Sequence, residues 1–186
     1  MQQSENPRNV YWIVVIAALG YFVDIYDLIL YNVVKAESLK SLGIVGAEFK
    51  ASEHILFNWQ MFGMMLGGLV WGVLGDKKGR ISVLFGSILM YSLANIANGL
   101  VQNMPQYIIC RFIAGIGLAG ELGAGITLVS ETLHKDKRGI GTMIIVSFGA
   151  LGAVVASQIG GRFAWQTSYF IGGGLGLALL ALRAGA

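Results

Sequence analysis

The stretch Gly72–Arg80 reads GVLGDKKGR and places a cluster of charged side chains between two long apolar stretches. The apolar stretches run over roughly residues 53 to 75 and 81 to 101. Each has the ~20 residues that an α-helix needs to cross a ~30 Å hydrocarbon core. Charged clusters alternate with such stretches along the whole chain. The pattern predicts membrane-spanning helices joined by short charged loops.

The composition agrees with that prediction. The 186-residue chain is 55% hydrophobic and 12% charged, with a mean hydropathy of +0.68, whereas average soluble domains carry about 25% charged residues. A soluble domain is therefore excluded, and we predict an integral membrane protein in the lipid bilayer. The net charge of +3 does not indicate nucleic-acid binding, because the basic residues lie in loops beside the spans. Cys110 has no second cysteine to pair with, and we expect no metal and no cofactor.

The hydropathy along the whole chain predicts six spans in one all-α bundle that occupies residues 1–186. The spans cover roughly residues 10–34, 53–75, 81–101, 106–130, 140–160 and 166–183. The first nine residues, MQQSENPRN, lack the basic start and the cleavage site of a signal peptide. We therefore expect the first span to be retained.

The basic residues are distributed unevenly between the two sides of the membrane. The amino terminus, the second and fourth connections and the carboxyl end, which carries Arg183, hold twice as many as the other side. The positive-inside rule then predicts that both termini are cytoplasmic. We expect the membrane to be a plasma membrane, the inner one of a bacterium.

Small residues recur at four-residue spacing, which lets helix backbones approach closely in lipid. The pairs are Gly63 and Gly67, Gly68 and Gly72, Gly115 and Ala119, Gly149 and Ala153, and Gly172 and Gly176. We expect these positions to pack against neighbouring helices.

Ionisable side chains also fall inside the predicted spans, where each costs ~2.5–3.5 kcal/mol on insertion scales. They are Asp24 and Asp27 on the first span and Arg111 and Glu121 on the fourth. Asp24 and Asp27 are three residues apart and share a helix face, and two close carboxylates do not both ionise readily in a low dielectric. We expect one of them to hold a proton part of the time.

The depths of these residues predict a pair. At 1.5 Å per residue, Asp27 lies about 10 Å and Arg111 about 8 Å from the outer ends of their spans. Protonating such a carboxylate releases the arginine, so the pair fits a proton-coupling device; a static ion pair that fixes helix packing is the alternative. Glu121, about 15 Å further along the fourth span, fits a second proton site, a substrate ligand or a contact with a neighbouring helix.

Motifs in a fixed order extend over almost the whole chain. Gly72–Arg80 fits the pattern GxxxDxxGR, residues 131–139 read ETLHKDKRG, Arg111 opens RFIAGIGLAGE, and the first span carries DIYD, with Ile25 in place of the usual glycine. The chain thus resembles the amino-terminal half of the major facilitator superfamily, notably its metabolite:proton and aromatic-acid:proton symporters and its sugar porters.

The resemblance implies two inverted three-helix repeats and roles for particular residues. Asp27 with Arg111 would couple proton movement, and Asp24 and Glu121 would be accessory. A cytoplasmic gating motif would comprise Gly72, Asp76, Lys77, Gly79, Arg80, Glu131 and Arg138, with Gly72 and Gly79 permitting a tight turn between helices.

The family's transporters resemble two six-helix bundles with the substrate between them. The resemblance therefore implies secondary active, proton-coupled uptake of a small organic solute by alternating access. The partner would be a second six-helix bundle, either a carboxyl-terminal half or another copy of this chain. An arginine freed from Asp27 suits a carboxylate substrate. The half-cavity would be lined by residues that also fit packing or interfacial anchoring, namely Tyr21, Tyr26, Tyr31, Asn58, Trp59, Gln60 and Gln158.

Two other classes of function are alternatives to transport. An intramembrane serine protease needs a GxSx nucleophile and an intramembrane histidine; the chain has no GxSx, and His54 and His134 lie at or outside span ends. We therefore predict that the protein is not an enzyme. A transport-inactive membrane sensor or scaffold derived from a facilitator half is the alternative.

Overall fold

The fold is a bundle of helices that follow one another along the chain. The computed structural model describes residues 7–133 and 137–184, and its side chains at 14–80, 82–121, 133 and 137–183. The helices are α1 (Pro7–Ser41), α2 (Ala47–Lys78), α3 (Arg80–Asn98), α4 (Met104–Thr132), α5 (Arg138–Gly160) and α6 (Trp165–Ala184). No strand occurs in these described ranges, and the predicted all-α class with six helices is confirmed.

The first two helices extend beyond their predicted spans. α1 has 35 residues and α2 has 32, about 52 and 48 Å at 1.5 Å per residue, which exceeds the ~30 Å hydrocarbon core. The helices continue past the predicted span end at 34 and span start at 53, because hydropathy detects the end of an apolar stretch and not the end of a helix. Residues 42–46 connect the two helices, with Gly43 and Gly46 at positive φ. The other predicted boundaries lie within a few residues of the observed ones.

α1 packs along α5. It also contacts α4 and α6, while α2 packs along α4 and α3 packs against α4 and α6. Following the predicted topology, we call the end with the α1–α2, α3–α4 and α5–α6 connections the outer end, and the opposite end the inner end. By length and hydropathy alone, two described segments qualify as membrane spans, Val14–Ser41 and Arg138–Gly160, with mean hydropathies of 1.8 and 2.0.

Glycines bring the backbones of α2 and α4 into contact. A Cβ atom at Gly67 would lie 2.6 Å from the carbonyl oxygen of Ile116 and 2.8 Å from its Cα, and one at Gly63 or Gly115 would also meet backbone of the facing helix. The expectation of close packing is confirmed here. Gly68 and Gly72 instead pack against no helix in the described part of this bundle, because they are exposed and have no atom within 4 Å of a Cβ position.

Gly67→Ala is expected to lower the thermal unfolding temperature of the bundle, whereas Gly68→Ala leaves it unchanged. The added methyl at position 67 meets helix backbone, which cannot rotate aside as a side chain can, and overpacking typically destabilises by ~1–3 kcal/mol. Gly68 is the matched control because its Cβ position is open. Circular dichroism of both variants in detergent measures the difference, and equal unfolding temperatures would contradict the backbone contact.

Candidate functional site

The centre of the outer half holds a buried ion pair between α1 and α4. Nη2 of Arg111 lies 3.2 Å from Oδ1 of Asp27, and both side chains have an exposed fraction of 0%. The pairing predicted from helix depths is confirmed. Because neither side chain reaches the surface, the guanidinium is closed to any solute in this conformation.

Two amides extend the ion pair to α2 and α3. Nη1 of Arg111 donates to Oε1 of Gln60 at 3.2 Å, and Nε2 of Gln60 donates to Oδ2 of Asp27 at 3.4 Å. Nη2 also donates to Oδ1 of Asn95 at 3.4 Å. Gln60 therefore bridges the acid and the base, and four helices meet at one guanidinium.

Two tyrosine rings enclose the guanidinium. Cζ of Arg111 lies 5.2 Å from the ring centroid of Tyr31 on α1 and 5.1 Å from that of Tyr169 on α6. The Tyr31 hydroxyl donates to the carbonyl of Glu53 at 3.1 Å, and the Tyr169 hydroxyl is 2.8 Å from that of Tyr107. A desolvated cation over an aromatic face gains ~2 kcal/mol or more. The rings therefore hold Arg111 in place independently of Asp27.

A second buried ion pair lies nearer the inner end. Nη2 of Arg183 on α6 is 3.0 Å from Oε1 of Glu121 on α4 and donates to the carbonyl of Ile16 on α1 at 3.2 Å. Glu121 therefore contacts a neighbouring helix, as one alternative had it. The assignment of Arg183 to the cytoplasmic loop charges is wrong, because its side chain is buried at the end of α6. Asp24 is also buried, and neither of its oxygens has a hydrogen-bond partner among the described residues.

The GDKKGR connection is a turn of one residue. Gly79 ends α2 and precedes α3, with φ of 86° and its N–H donating to the carbonyl of Gly75 at 3.0 Å. Asp76 and Arg80 form an ion pair across it at 3.7 Å, with side chains 75% and 35% exposed. Gly79 thus occupies the turn, at a φ that favours glycine. Gly72 lies within α2, outside the turn, with open space around it.

The other residues of the gating motif lie at the same inner end. Lys77 is exposed in the last turn of α2, where a cation suits the helix dipole. Nε of Arg138 donates to the carbonyl of Leu133 at 3.0 Å and so ties the start of α5 to the residue after α4. The side chain of Glu131 lies outside the described residues.

The predicted cavity residues divide into two groups. Tyr26, Tyr31 and Gln60 are buried, the last two at Arg111, and the Tyr26 hydroxyl donates to the carbonyl of Ser168 at 3.0 Å. The surface group comprises Asn58, Trp59 and Gln158, which are exposed, and Tyr21, which is half-buried beside Gly149. The exposed Trp59 ring contacts the rings of Phe62 and Phe112.

Sequence reasoning missed Asn95, Tyr169 and Arg183. Each is a polar or aromatic side chain in or at the end of an apolar stretch, and this is the signal that drew attention to Gln60. Their partners lie on helices distant in sequence, so the sequence did not indicate what they contact.

A sequence model described as the Major Facilitator Superfamily matches residues 17–184. The chain belongs to this superfamily. Facilitators are transporters and not enzymes, so the prediction that the chain is no enzyme is confirmed, as is its place in the membrane.

The chain is similar to named transporters of two different solutes. It is 32% identical to the niacin transporter NiaP of Acinetobacter baylyi over 88% of this chain and 37% of that protein. It is 30% identical to the sialic acid transporter NanX of Escherichia coli over 84% of this chain and 38% of that protein. The chain therefore spans less than half the length of these relatives.

Solved facilitator structures share the fold. The xylose transporter XylE of E. coli, in a partially occluded inward-open conformation, superimposes with a TM-score of 0.82 at 16% identity, over 95% of this chain and 50% of XylE. The six-helix bundle corresponds to one half of that facilitator.

Proposed function

We propose that the chain provides one six-helix bundle of a secondary transporter that takes up a small organic solute together with protons. The observation that carries this proposal is the fully buried pair of Asp27 and Arg111. A buried ion pair is weak evidence for stability, because desolvation offsets the attraction of the charges. Ionisable residues at bilayer depth instead mark ion and substrate pathways.

The contacts around the pair support a proton-dependent change. When Asp27 binds a proton, its attraction to Arg111 falls, while the two tyrosine rings and Asn95 still hold the guanidinium. The contact that weakens is therefore the one that Asp27 on α1 makes with Arg111 and Gln60, while Tyr31 still links α1 to Arg111. A proton then favours conformations in which Asp27 lies farther from Arg111 and Gln60, which is the differential binding that alternating access requires.

We propose a solute that carries a carboxylate. The relatives named above transport niacin and sialic acid, both of which are carboxylic acids. Of the predicted cavity residues, Asn58, Trp59 and Gln158 are exposed on the bundle surface, and they are proposed to contact the solute. Tyr26, Tyr31 and Gln60 are proposed to act at the buried ion pair instead.

The solute site is proposed to form between this bundle and a second one. Gly68 and Gly72 lie one turn apart on α2 with no neighbour near their Cβ positions, so another helix can approach closely there. The lengths of NiaP and NanX support a second bundle of similar size. Both termini are proposed to be cytoplasmic, in a bacterial inner membrane, because basic residues are in excess at the inner end even without Arg183.

The chain alone is expected to be a 19.9 kDa monomer that catalyses no uptake. The measurements are native mass spectrometry of the detergent-extracted protein and uptake of labelled nicotinate or sialic acid into proteoliposomes under an imposed pH gradient. Co-expression with the second bundle is expected to give proton-driven uptake. Twice the monomer mass with uptake would make the chain a transporter completed by its own copy. Ligand binding without proton uptake in the completed assembly would indicate a sensor and contradict the proposal.

A further inference from the structure

Three buried charged side chains of α1, α4 and α6 meet on the inner side of the Asp27–Arg111 pair. Asp24, Glu121 and Arg183 have exposed fractions of 1%, 3% and 9%. Gly20 lies one turn from Asp24 on the same face of α1, and a Cβ there would meet the Glu121 carboxylate and lie 2.8 Å from Nη2 of Arg183. We call these three side chains the inner cluster.

The charges of the inner cluster do not balance. Arg183 pairs with Glu121 through one oxygen, which leaves Oε2 of Glu121 and both oxygens of Asp24 without a donor among the described residues. Asp24 lies one turn after Gly20, whose Cβ position faces both Glu121 and Arg183. Two carboxylates face one guanidinium, so full ionisation would leave one negative charge in a buried site, which is strongly unfavourable.

Among the side chains that the structure describes, no other one that faces Asp24 supplies the missing positive charge. Asp27 on α1 adds negative charge and is itself paired with Arg111. Tyr91 on α3 donates its hydroxyl to the carbonyl of Val23 at 3.4 Å. α5 carries no ionisable residue after Arg138.

We propose that the inner cluster binds one proton of its own, shared between Asp24 and Glu121, as a second proton site apart from Asp27. A proton fits better than a metal ion, because Ca²⁺ needs 6–8 oxygen ligands and the adjacent guanidinium repels a cation. The step is a protonation: a hydronium ion transfers H⁺ to a carboxylate oxygen and leaves as water, and the neutral acid that forms donates a hydrogen bond to the second carboxylate. That bond gives unpartnered oxygens of both residues a partner.

The inner cluster is expected to hold one proton, because one guanidinium balances only one of its two carboxylates. Infrared spectroscopy of the chain in lipid nanodiscs at neutral pH is expected to show the carbonyl stretch of a buried carboxylic acid, with a small shift in D₂O. Asp24→Asn and Glu121→Gln are each expected to abolish the band, since the surviving carboxylate then balances Arg183. Arg183→Gln is expected to increase it roughly twofold, because two carboxylates then need protons.

Matched variants separate this proposal from its alternatives. Arg183→Lys keeps the charge and is expected to keep the band, and so is Asp27→Asn, because that residue belongs to the other site. Circular dichroism confirms that each variant is folded. No band in the wild type would overturn the proposal, as would a band that disappears in Asp27→Asn or persists in Glu121→Gln. Because the band is measured without a solute, its presence or absence tests the second proton site independently of uptake.

Discussion

Asp27→Asn is expected to abolish uptake driven by a pH gradient in the completed transporter and to leave solute exchange intact. Asparagine has nearly the same shape as aspartate, and its one carbonyl oxygen still accepts the hydrogen bond from Arg111, while its NH2 group replaces the oxygen that accepts from Gln60. It cannot bind or release a proton in the transport cycle. Exchange of labelled for unlabelled solute needs no net proton movement. The measurement compares the two modes in the same proteoliposomes.

Glu37→Gln is the matched control for this variant. Glu37 is an exposed carboxylate on the same helix, beyond the buried ion pair, and its replacement is expected to change neither mode of transport. Proton-driven uptake that survives Asp27→Asn would reject the coupling role and leave the static ion pair as the explanation. Loss of both modes would show that the aspartate is needed for solute binding or folding, which also contradicts the proposal.

Arg111→Gln is expected to cause a large loss of stability. It leaves Asp27 buried without its cation and removes the guanidinium from between the Tyr31 and Tyr169 rings. Removing one partner of a buried ion pair typically costs ~3–5 kcal/mol. The thermal unfolding temperature in detergent measures the loss. Arg162→Gln, at an exposed arginine between α5 and α6, is expected to have little effect.

The double variant Asp27→Asn with Arg111→Gln isolates the cost of the unpaired charge. It is expected to be more stable than Arg111→Gln alone, because two neutral amides replace a buried lone carboxylate. Additive losses from the two changes would show that the residues do not interact energetically. That result would contradict the central contact of the site.

The sequence predicts the depth of a residue along its helix but not the direction in which its side chain points. Depth increases by 1.5 Å per residue, so the common level of Asp27 and Arg111 followed from counting along two apolar stretches. The direction in which a side chain points depends on which helices are neighbours. For this reason Gln60, Asn58 and Trp59 entered one cavity list, although Gln60 is buried at Arg111 and the other two are exposed.

Helix ends limited the prediction in a different way. Arg183 follows an apolar stretch and therefore looked like a loop charge, yet α6 continues to Ala184 and its last turn still packs against α1. The partner of Glu121 was missed for that reason. The one-residue turn at Gly79 was easier to predict, because GDKKGR combines a motif with a glycine that a positive φ requires.

Only Gly79 separates α2 from α3, so a rigid rotation of α3 about this residue moves the far end of the helix most. Asn95, which accepts a hydrogen bond from Arg111, lies about 24 Å along α3 from Gly79. A rigid tilt of α3 by about 10° would move Asn95 by about 4 Å at this helix length, which is more than its hydrogen bond tolerates. Small rotations at the charged connection on one face of the membrane are thereby magnified at the guanidinium near the other.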